Sequence, residues 1–207
     1  MPSSHQGPVE DMPQGPRERV LNAALKLFVE QGYFNTNIPD ISRESKCSIG
    51  SIYHHFLNKE EIASELYKLG IRHFRAALND SVDQNANLET QVRSIVLAFL
   101  QFAETHLLWS HYLWLARHDE FLNTGVARPT SIGFDHLGRT ITKAIKNGIR
   151  KGEIAKINAE VFWSILFGIP LSFMRDWLDG YTKNSPTEVA PIIADACWAA
   201  LKGVPNS

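Results

Sequence analysis

Residues 47–59 read CSIGSIYHHFLNK and place small side chains next to hydrogen-bonding rings. Ser48, Gly50 and Ser51 are small, and Tyr53 and His54 follow within the next turn. A helix that enters the major groove of DNA by its N-terminal end needs that end to be narrow, because bulk there would hold it away from the bases. Hydroxyl and imidazole groups further along can bind the sugar-phosphate backbone. The composition therefore indicates a helix that contacts DNA.

Apolar residues in the same segment predict how such a helix is held. Ile52 and Phe56 are four residues apart and should anchor one face to a core. Ile49 is a further apolar residue, and His55 fits either face. The alternative interpretation is a small buried helix that uses Gly50 only for close packing.

The elements before this segment should position it. An amphipathic helix is predicted from Arg17 to Gly32. A second, short helix begins near Asn37, which can cap it, with Pro39 in the first turn and Asp40 placed to answer the cap. It ends around residue 46. Two short helices joined by a tight turn are typical of a helix-turn-helix.

Beyond the turn, Ser48 caps the candidate DNA-contacting helix and Asn58 caps a long fourth helix to about Asn79. Later segments predict further helices, including one over 106–122 and one over 128–150. Period-2 apolar alternation is absent, so the fold class is all-α. The proline-rich residues 1–16 are predicted to be a disordered tail.

Composition narrows the class of protein. The 207 residues carry a net charge of −1, which argues against indiscriminate coating of nucleic acid. The sequence contains no apolar run of membrane-spanning length and no secretory signal, and its two cysteines, Cys47 and Cys197, are far apart. We therefore expect a cytoplasmic protein without a disulfide framework and without a membrane partner.

The stretch from RERVLNAALKLFVEQGYFNTNIPDI through SRESKCSIGSIYHHFLNKEEIASELY resembles the DNA-binding domain of the TetR family of transcriptional repressors. The resemblance lies in F-x-x-x-G-Y-x-x-T and S-x-G-x-I-Y-H-H-F-x-x-K-E. It implies a helix-turn-helix domain over 17–62, a helical effector-binding and dimerisation domain over 63–207, and a homodimer on a near-palindromic DNA site. The residues it places against double-stranded DNA are Asn37, Ser48, Gly50, Ser51, Tyr53, His54 and Lys59.

One departure from the family pattern lies in the turn. Ser45, Lys46 and Cys47 stand where the family usually has alanine, glycine and valine. Glycine accepts a positive φ freely, whereas lysine there costs about 1 kcal/mol or more. Lys46 is therefore either strained or part of a slightly different turn, and its charge adds a further candidate phosphate contact.

The C-terminal helices are predicted to form the dimer interface, on the strength of the resemblance. KGEI followed by a strongly apolar helix is the family's usual approach to a four-helix bundle across a two-fold axis. Intramolecular core is the alternative. Pro170 should kink its helix. The candidate interface residues are Phe162, Ile165, Leu166, Ile169, Phe173, Trp177, Ile193 and Trp198.

The segment HLLWSHYLWLARHDEF holds the most unusual side chains of the second half. Its apolar groups surround the helix, which predicts burial on several sides. Three interpretations of its polar groups are open. They are buried structural residues, or they orient an effector in a pocket with aromatic walls. In the third interpretation, His111, His118 and Asp119 bind a metal ion together with a further group such as His136. The candidate effector-binding residues are Phe99, Phe102, Trp109, Tyr112, Trp114, His111 and His118.

Taken together, the sequence favours a ligand-responsive DNA-binding repressor that a small hydrophobic or aromatic organic effector releases. We expect no catalytic residue, metal or cofactor, because no nucleophile-base constellation or paired E-x-x-H motif occurs. The alternatives are an all-α metal-binding protein or enzyme that uses the second-half histidines, and a helical scaffold that only dimerises.

Overall fold

A computed structural model of the chain describes residues 15–116 and 136–203, and all regular structure in these two ranges is helical, which confirms the all-α class. The predicted tail at 1–16 lies outside the described residues except for its last two positions. Over the same ranges, no helix is long and apolar enough to cross a bilayer. The helices, in chain order, are α1 Pro16–Glu30, α2 Ile38–Ser45, α3 Ile49–His55, α4 Lys59–Ser81, α5 Leu88–Thr105, α6 Leu107–Ser110, α7 His136–Lys151, α8 Ala159–Leu178 and α9 Pro186–Lys202.

The described residues form two compact units. The first contains residues 15–72 and 105–116, and the second contains 73–104 and 136–203. The sequence analysis placed the boundary between a DNA-binding and an effector-binding domain after residue 62. This boundary is defined by function and not by contacts between residues, and it stays a prediction.

The first unit is built on the apolar faces that the sequence predicts. Val20 of α1, Ile41 of α2 and Ile52 of α3 have no exposed surface. Arg17 at the start of α1 forms an ion pair with Glu65 of α4 at 2.9 Å, and its guanidinium lies 5.4 Å from the ring centre of Phe56. These contacts hold α3 and the start of α4 against α1.

The helix predicted over 106–122 is helical from Leu107 to Leu115 in its described part, but it is not a regular α-helix throughout. α6 ends at Ser110 and continues as a single π-helical turn, His111–Leu115, which Ala116 closes by donating its N–H to the His111 carbonyl at 3.2 Å. Ala116 is already extended, with φ −68° and ψ 140°. Three consecutive side chains, at 112–114, are buried in this turn.

The second unit has an aromatic centre. The ring of Phe74 meets Phe99 at 5.7 Å and Phe102 at 5.3 Å, both edge to face. Phe167 of α8 lies 5.8 Å from Phe99 and completes the group. Such pairs stabilise a core beyond the area they bury. Of the helix predicted over 128–150, the structure describes the part from His136 onward.

Candidate functional site

The start of α2 has the capping geometry that the sequence predicts. The Asn37 side chain accepts a hydrogen bond from the Asp40 N–H at 2.9 Å, and the Asp40 carboxylate accepts one from the Asn37 N–H at 3.1 Å. Pro39 lies in the first turn, where its missing N–H costs nothing. This box fixes the direction in which α2 leaves the preceding loop.

The turn between α2 and α3 is tight and strained at one residue. Lys46 has φ 55° and ψ 29°, and it is the one residue other than glycine with a positive φ in the described ranges. The backbone strain expected from lysine in place of glycine is therefore present. The Ser42 hydroxyl donates to the Cys47 carbonyl at 2.6 Å, which ties the turn back to α2. The Lys46 side chain is exposed.

α3 presents two different faces. Ser48 caps it by accepting from the Ser51 N–H at 3.1 Å. Ile52 and Phe56 are buried, as predicted, which fixes the opposite face outward. That outward face contains small groups at its start and rings at its end. Ser48, Gly50 and His54 are exposed, Ser51 is half-buried, and Tyr53 has 52% of its surface exposed.

Lys59 has a different environment from the other candidate DNA contacts. Its ammonium donates to the backbone carbonyls of Tyr33 and Thr36, each at 2.7 Å, and lies 4.2 Å from the ring centre of Tyr33. Burial lowers the pKa of Lys59. Two of its three donors therefore hold the α1–α2 loop to the start of α4, and one remains for a phosphate.

The histidines of α3 differ in exposure. The His54 and His55 rings meet edge to face at 5.1 Å, and His55 also contacts the Phe56 ring at 6.4 Å. His55 is half-buried, whereas His54 is exposed. Of the two, His54 has the freedom to reach a ligand on the outward face.

The candidate effector residues divide between the two units. Phe99 and Phe102 belong to the aromatic centre of the second unit. Trp109, Tyr112 and Trp114 are buried in the first unit. The pocket predicted from these residues together stays a prediction.

Tyr112 is held by specific contacts. Its hydroxyl donates to the Ala63 carbonyl at 2.8 Å, and its ring stacks on Phe28 at 6.2 Å. Burial raises the pKa of the Tyr112 hydroxyl. Tyr112 therefore serves as a core residue whose single donor is already used.

The metal-ligand alternative gains no support. His111 lies in the π turn and is half-buried, whereas His118 and Asp119 lie outside the described residues. In the ranges that the structure covers, no three histidine, cysteine or acidic residues are grouped as metal ligands.

The candidate interface residues are not all available at the surface. Phe162 and Leu166 have no exposed surface, and Trp198 retains 9%. Phe162 and Leu166 therefore pack inside the chain, whereas Trp198 keeps a little surface, and the interface itself stays a prediction. The residues that keep exposed or partly exposed surface are Ile165, Ile169, Phe173, Trp177 and Ile193.

The sequence analysis did not identify the side chains whose hydrogen bonds hold the backbone around the helix-turn-helix. Thr36 is buried, and its hydroxyl donates to the Gly32 carbonyl at 2.8 Å. Ser42 holds the turn as described above. The threonine of the motif G-Y-x-x-T was the one sequence signal that pointed to Thr36. No sequence motif pointed to Ser42. Ser110, whose buried hydroxyl has no hydrogen-bond partner in the structure, also left none.

Comparison with known proteins identifies the class. Residues 20–66 match the family model described as bacterial regulatory proteins, tetR family, and this match covers α2, α3 and most of α1. Over residues 20–66 the chain therefore matches the TetR family of transcriptional regulators. The predicted resemblance is confirmed.

Individual relatives share different parts of the chain. An HTH-type transcriptional regulator, YhgD of Bacillus subtilis, is 22% identical over 165 residues, which are 78% of this chain and 83% of that protein. The HTH-type transcriptional repressor KstR2 of Mycobacterium tuberculosis is 32% identical over 90 residues, but these cover 44% and 45% of the two chains. The solved structure of FadR from Bacillus subtilis in complex with stearoyl-CoA has a TM-score of 0.66 at 16% identity, covering 87% of this chain and 97% of that one. This last likeness concerns the fold alone.

Proposed function

We propose that this regulator is a repressor that binds a near-palindromic operator as a homodimer in the cytoplasm and leaves it when a small hydrophobic or aromatic effector binds. The observation that carries the proposal is the orientation of α3. Its apolar residues Ile52 and Phe56 are buried, while Gly50, Tyr53 and His54 face outward. Repression is supported by the name of the relative KstR2, a transcriptional repressor.

The outward face of α3 suits the major groove. Gly50 and the serines beside it allow a close approach to base edges, and Tyr53 and His54 can contact the phosphates on either side. Lys46 adds a charge at the turn, and Lys59 keeps one donor for a phosphate. Because phosphates supply much of the affinity, we expect binding to weaken steeply with salt.

An apolar groove on α8 supports the homodimer. It has a volume of about 750 Å³, and its apolar lining consists of Val161, Ile165, Ile169, Phe173 and Ile193. The four α8 residues follow one another at intervals of four, so they form a single stripe along the helix. A second copy of this helix pair would bury the stripe in a four-helix bundle.

The class of effector is proposed from chemistry and relatives together. The aromatic residues of α5 and of the segment after it favour an apolar ligand with one polar group. Among proteins of this fold, FadR binds stearoyl-CoA, and KstR2 is described as a ketosteroid regulator. Effector binding would shift the spacing of the two α3 helices so that they no longer match one turn of DNA.

The first test is selection of bound fragments from random DNA by the full chain. We expect an inverted repeat whose half-sites lie about one helical turn, 34–36 Å, apart. Recovery of a single, non-repeated site would contradict the homodimer, and recovery of no sequence would contradict the operator.

The second test uses a double variant, Tyr53→Phe with His54→Ala, measured for DNA retention at two salt concentrations. We expect retention to fall at least about tenfold at both specific and non-specific sites, since two backbone contacts are lost. Tyr181→Phe is the matched control, because Tyr181 is 83% exposed but lies in the second unit. Unchanged DNA retention in the double variant would remove α3 as the DNA-contacting helix.

The third test addresses the dimer. Ile169→Glu places a charge in the groove and should convert the dimer to a monomer in sedimentation analysis, because a buried unpaired charge is costly. Leu97→Glu is the control, as Leu97 is similarly exposed, at 40%, but lies on α5 outside the groove lining. A dimer that survives Ile169→Glu uses a different surface.

A further inference from the structure

The α7 helix carries an unusual surface charge. Residues 139–151 contain five basic residues and no acidic one. The remainder of the chain then has 16 basic and 22 acidic residues, a net charge of −6. By comparison, α4 is longer but carries four residues of each sign. The positive charge of α7 is therefore a local feature that the DNA-binding function does not explain.

The fold turns this charge into one stripe. Ile141 and Ile145 are buried, and Gly148 lies so close to Leu88 that an added Cβ would be 2.6 Å from its Cδ2 atom. This packing fixes the other face of α7 outward, where Arg139, Lys143, Lys146 and Arg150 are exposed. Their spacing of four, three and four residues keeps them on one side of the helix.

Part of the stripe surrounds a hollow. A cavity of about 250 Å³ is lined by Arg139, Thr142, Lys143 and Lys146. The Thr142 hydroxyl donates to the Gly138 carbonyl at 2.7 Å, so its hydrogen is used. Lys143 and Lys146 have no acidic partner within the described part of the chain. Both lysines therefore offer cationic donors to a ligand, and none of the described residues that line the hollow is a carboxylate that would repel an anion.

We propose that this basic hollow on α7 binds a linear polyphosphate group, of the kind that nucleoside di- and triphosphates carry. The backbone positions of the three basic residues at 139, 143 and 146 span about 10 Å along the helix axis, so a chain of several phosphates can contact more of them at once than a single phosphate group can. A chain of two or three phosphates contacts all three. The volume equals that of about eight water molecules, which is enough space for a chain of two or three phosphates. Guanidinium and ammonium groups both bind phosphate oxygens through charge-assisted hydrogen bonds.

The proposal goes beyond DNA binding and does not depend on it, so it is tested without DNA. The full chain is titrated calorimetrically with inorganic tripolyphosphate, pyrophosphate and orthophosphate at fixed ionic strength. We expect one tripolyphosphate per chain and an affinity that falls in that order, because fewer cations are contacted. ATP should bind about as tightly as tripolyphosphate, since none of the described residues that line the hollow would select a base.

Matched variants decide whether the hollow is the site. Lys143→Gln with Lys146→Gln should weaken tripolyphosphate binding at least about tenfold, since two charge-assisted bonds are lost. Lys151→Gln is the control, because Lys151 is on the same helix but pairs with Glu153 at 3.5 Å and lies outside the hollow. Thermal melting of each variant checks that it is folded.

Several outcomes would overturn the proposal. One is that tripolyphosphate does not bind. Another is that Lys151→Gln weakens binding as much as the double variant, which would mean general attraction to a basic surface. A third is that the double variant leaves tripolyphosphate binding unchanged but loses retention of DNA, which would make the stripe a DNA-binding surface.

Discussion

Gly50 and Gly70 are both helical glycines of the first unit, but their surroundings differ. At Gly50, an added Cβ would meet only the Ser48 hydroxyl, at 4.0 Å. At Gly70, it would lie 2.9 Å from Trp109 and 3.0 Å from Leu113. A glycine costs a helix stability, so each position needs a reason. At Gly70 the reason is packing inside the chain, and at Gly50 the chain itself offers none.

The same contrast separates the two tyrosines of these regions. Tyr53 is half exposed on α3, whereas Tyr112 is 1% exposed in the π turn and bonded to Ala63. Similar residues, serine, histidine and tyrosine, occur in both segments. What differs is the number of buried neighbours, and this determines whether a side chain serves the fold or a ligand.

The largest effect on stability is expected at Gly70. Gly70→Ala should lower the free energy of unfolding by about 1–3 kcal/mol, because the methyl group overlaps two buried side chains. Urea denaturation measures the loss, and DNA retention at low temperature should remain. A variant as stable as the original chain would show that the packing at this crossing is looser than the structure indicates.

Tyr112→Phe sharpens the comparison of the tyrosines. We expect a loss of about 1 kcal/mol, because a buried hydrogen bond to Ala63 disappears. Tyr53→Phe removes an equivalent hydroxyl from an exposed ring and should change stability by less than about 0.5 kcal/mol. If Tyr112→Phe and Tyr53→Phe lower the free energy of unfolding equally in denaturation experiments, the assignment of Tyr112 to the core and Tyr53 to the surface is wrong.

Lys46→Gly tests the strained turn. Glycine accepts the observed φ of 55°, so stability should rise by about 1 kcal/mol. If the Lys46 side chain neutralises a phosphate, the salt dependence of DNA binding should become shallower, by about one unit of the logarithmic slope. Lys46→Gln is the control, because it removes the charge and keeps the strain. If Lys46→Gly does not raise the free energy of unfolding, the lysine is not strained in this turn.

Gly50→Ala has a small effect on stability and the most informative effect on function. Space is available, so the helix should gain about 0.5–1 kcal/mol. DNA retention should nevertheless fall, because the added methyl group stands on the face that approaches the bases. A more stable variant with full DNA binding would mean that the N-terminal end of α3 does not enter the groove.

The sequence predicted the DNA-binding segment closely, because its information is local. The capping pair Asn37 and Asp40, the cap at Ser48 and the buried pair Ile52 and Phe56 all lie within a few residues of the helices they define. Lys46 was expected either to be strained or to belong to a slightly different turn, and its φ of 55° corresponds to the first alternative. Caps and short-range periodicity depend on neighbours along the chain, so a sequence suffices to find them.

Tertiary structure decided what distant neighbours control. The sequence pattern could not show that the Lys59 ammonium donates hydrogen bonds to the carbonyls of Tyr33 and Thr36. It also could not show that Phe162 and Leu166 are buried within the chain. Nor did it show that the helix after α6 opens into a π turn, or that the cations of α7 surround a hollow. By itself, the sequence determined the helices, their caps and the class of protein. Outside those short-range patterns, the fold decided which side chains remain exposed, because exposure depends on contacts between residues far apart in the chain.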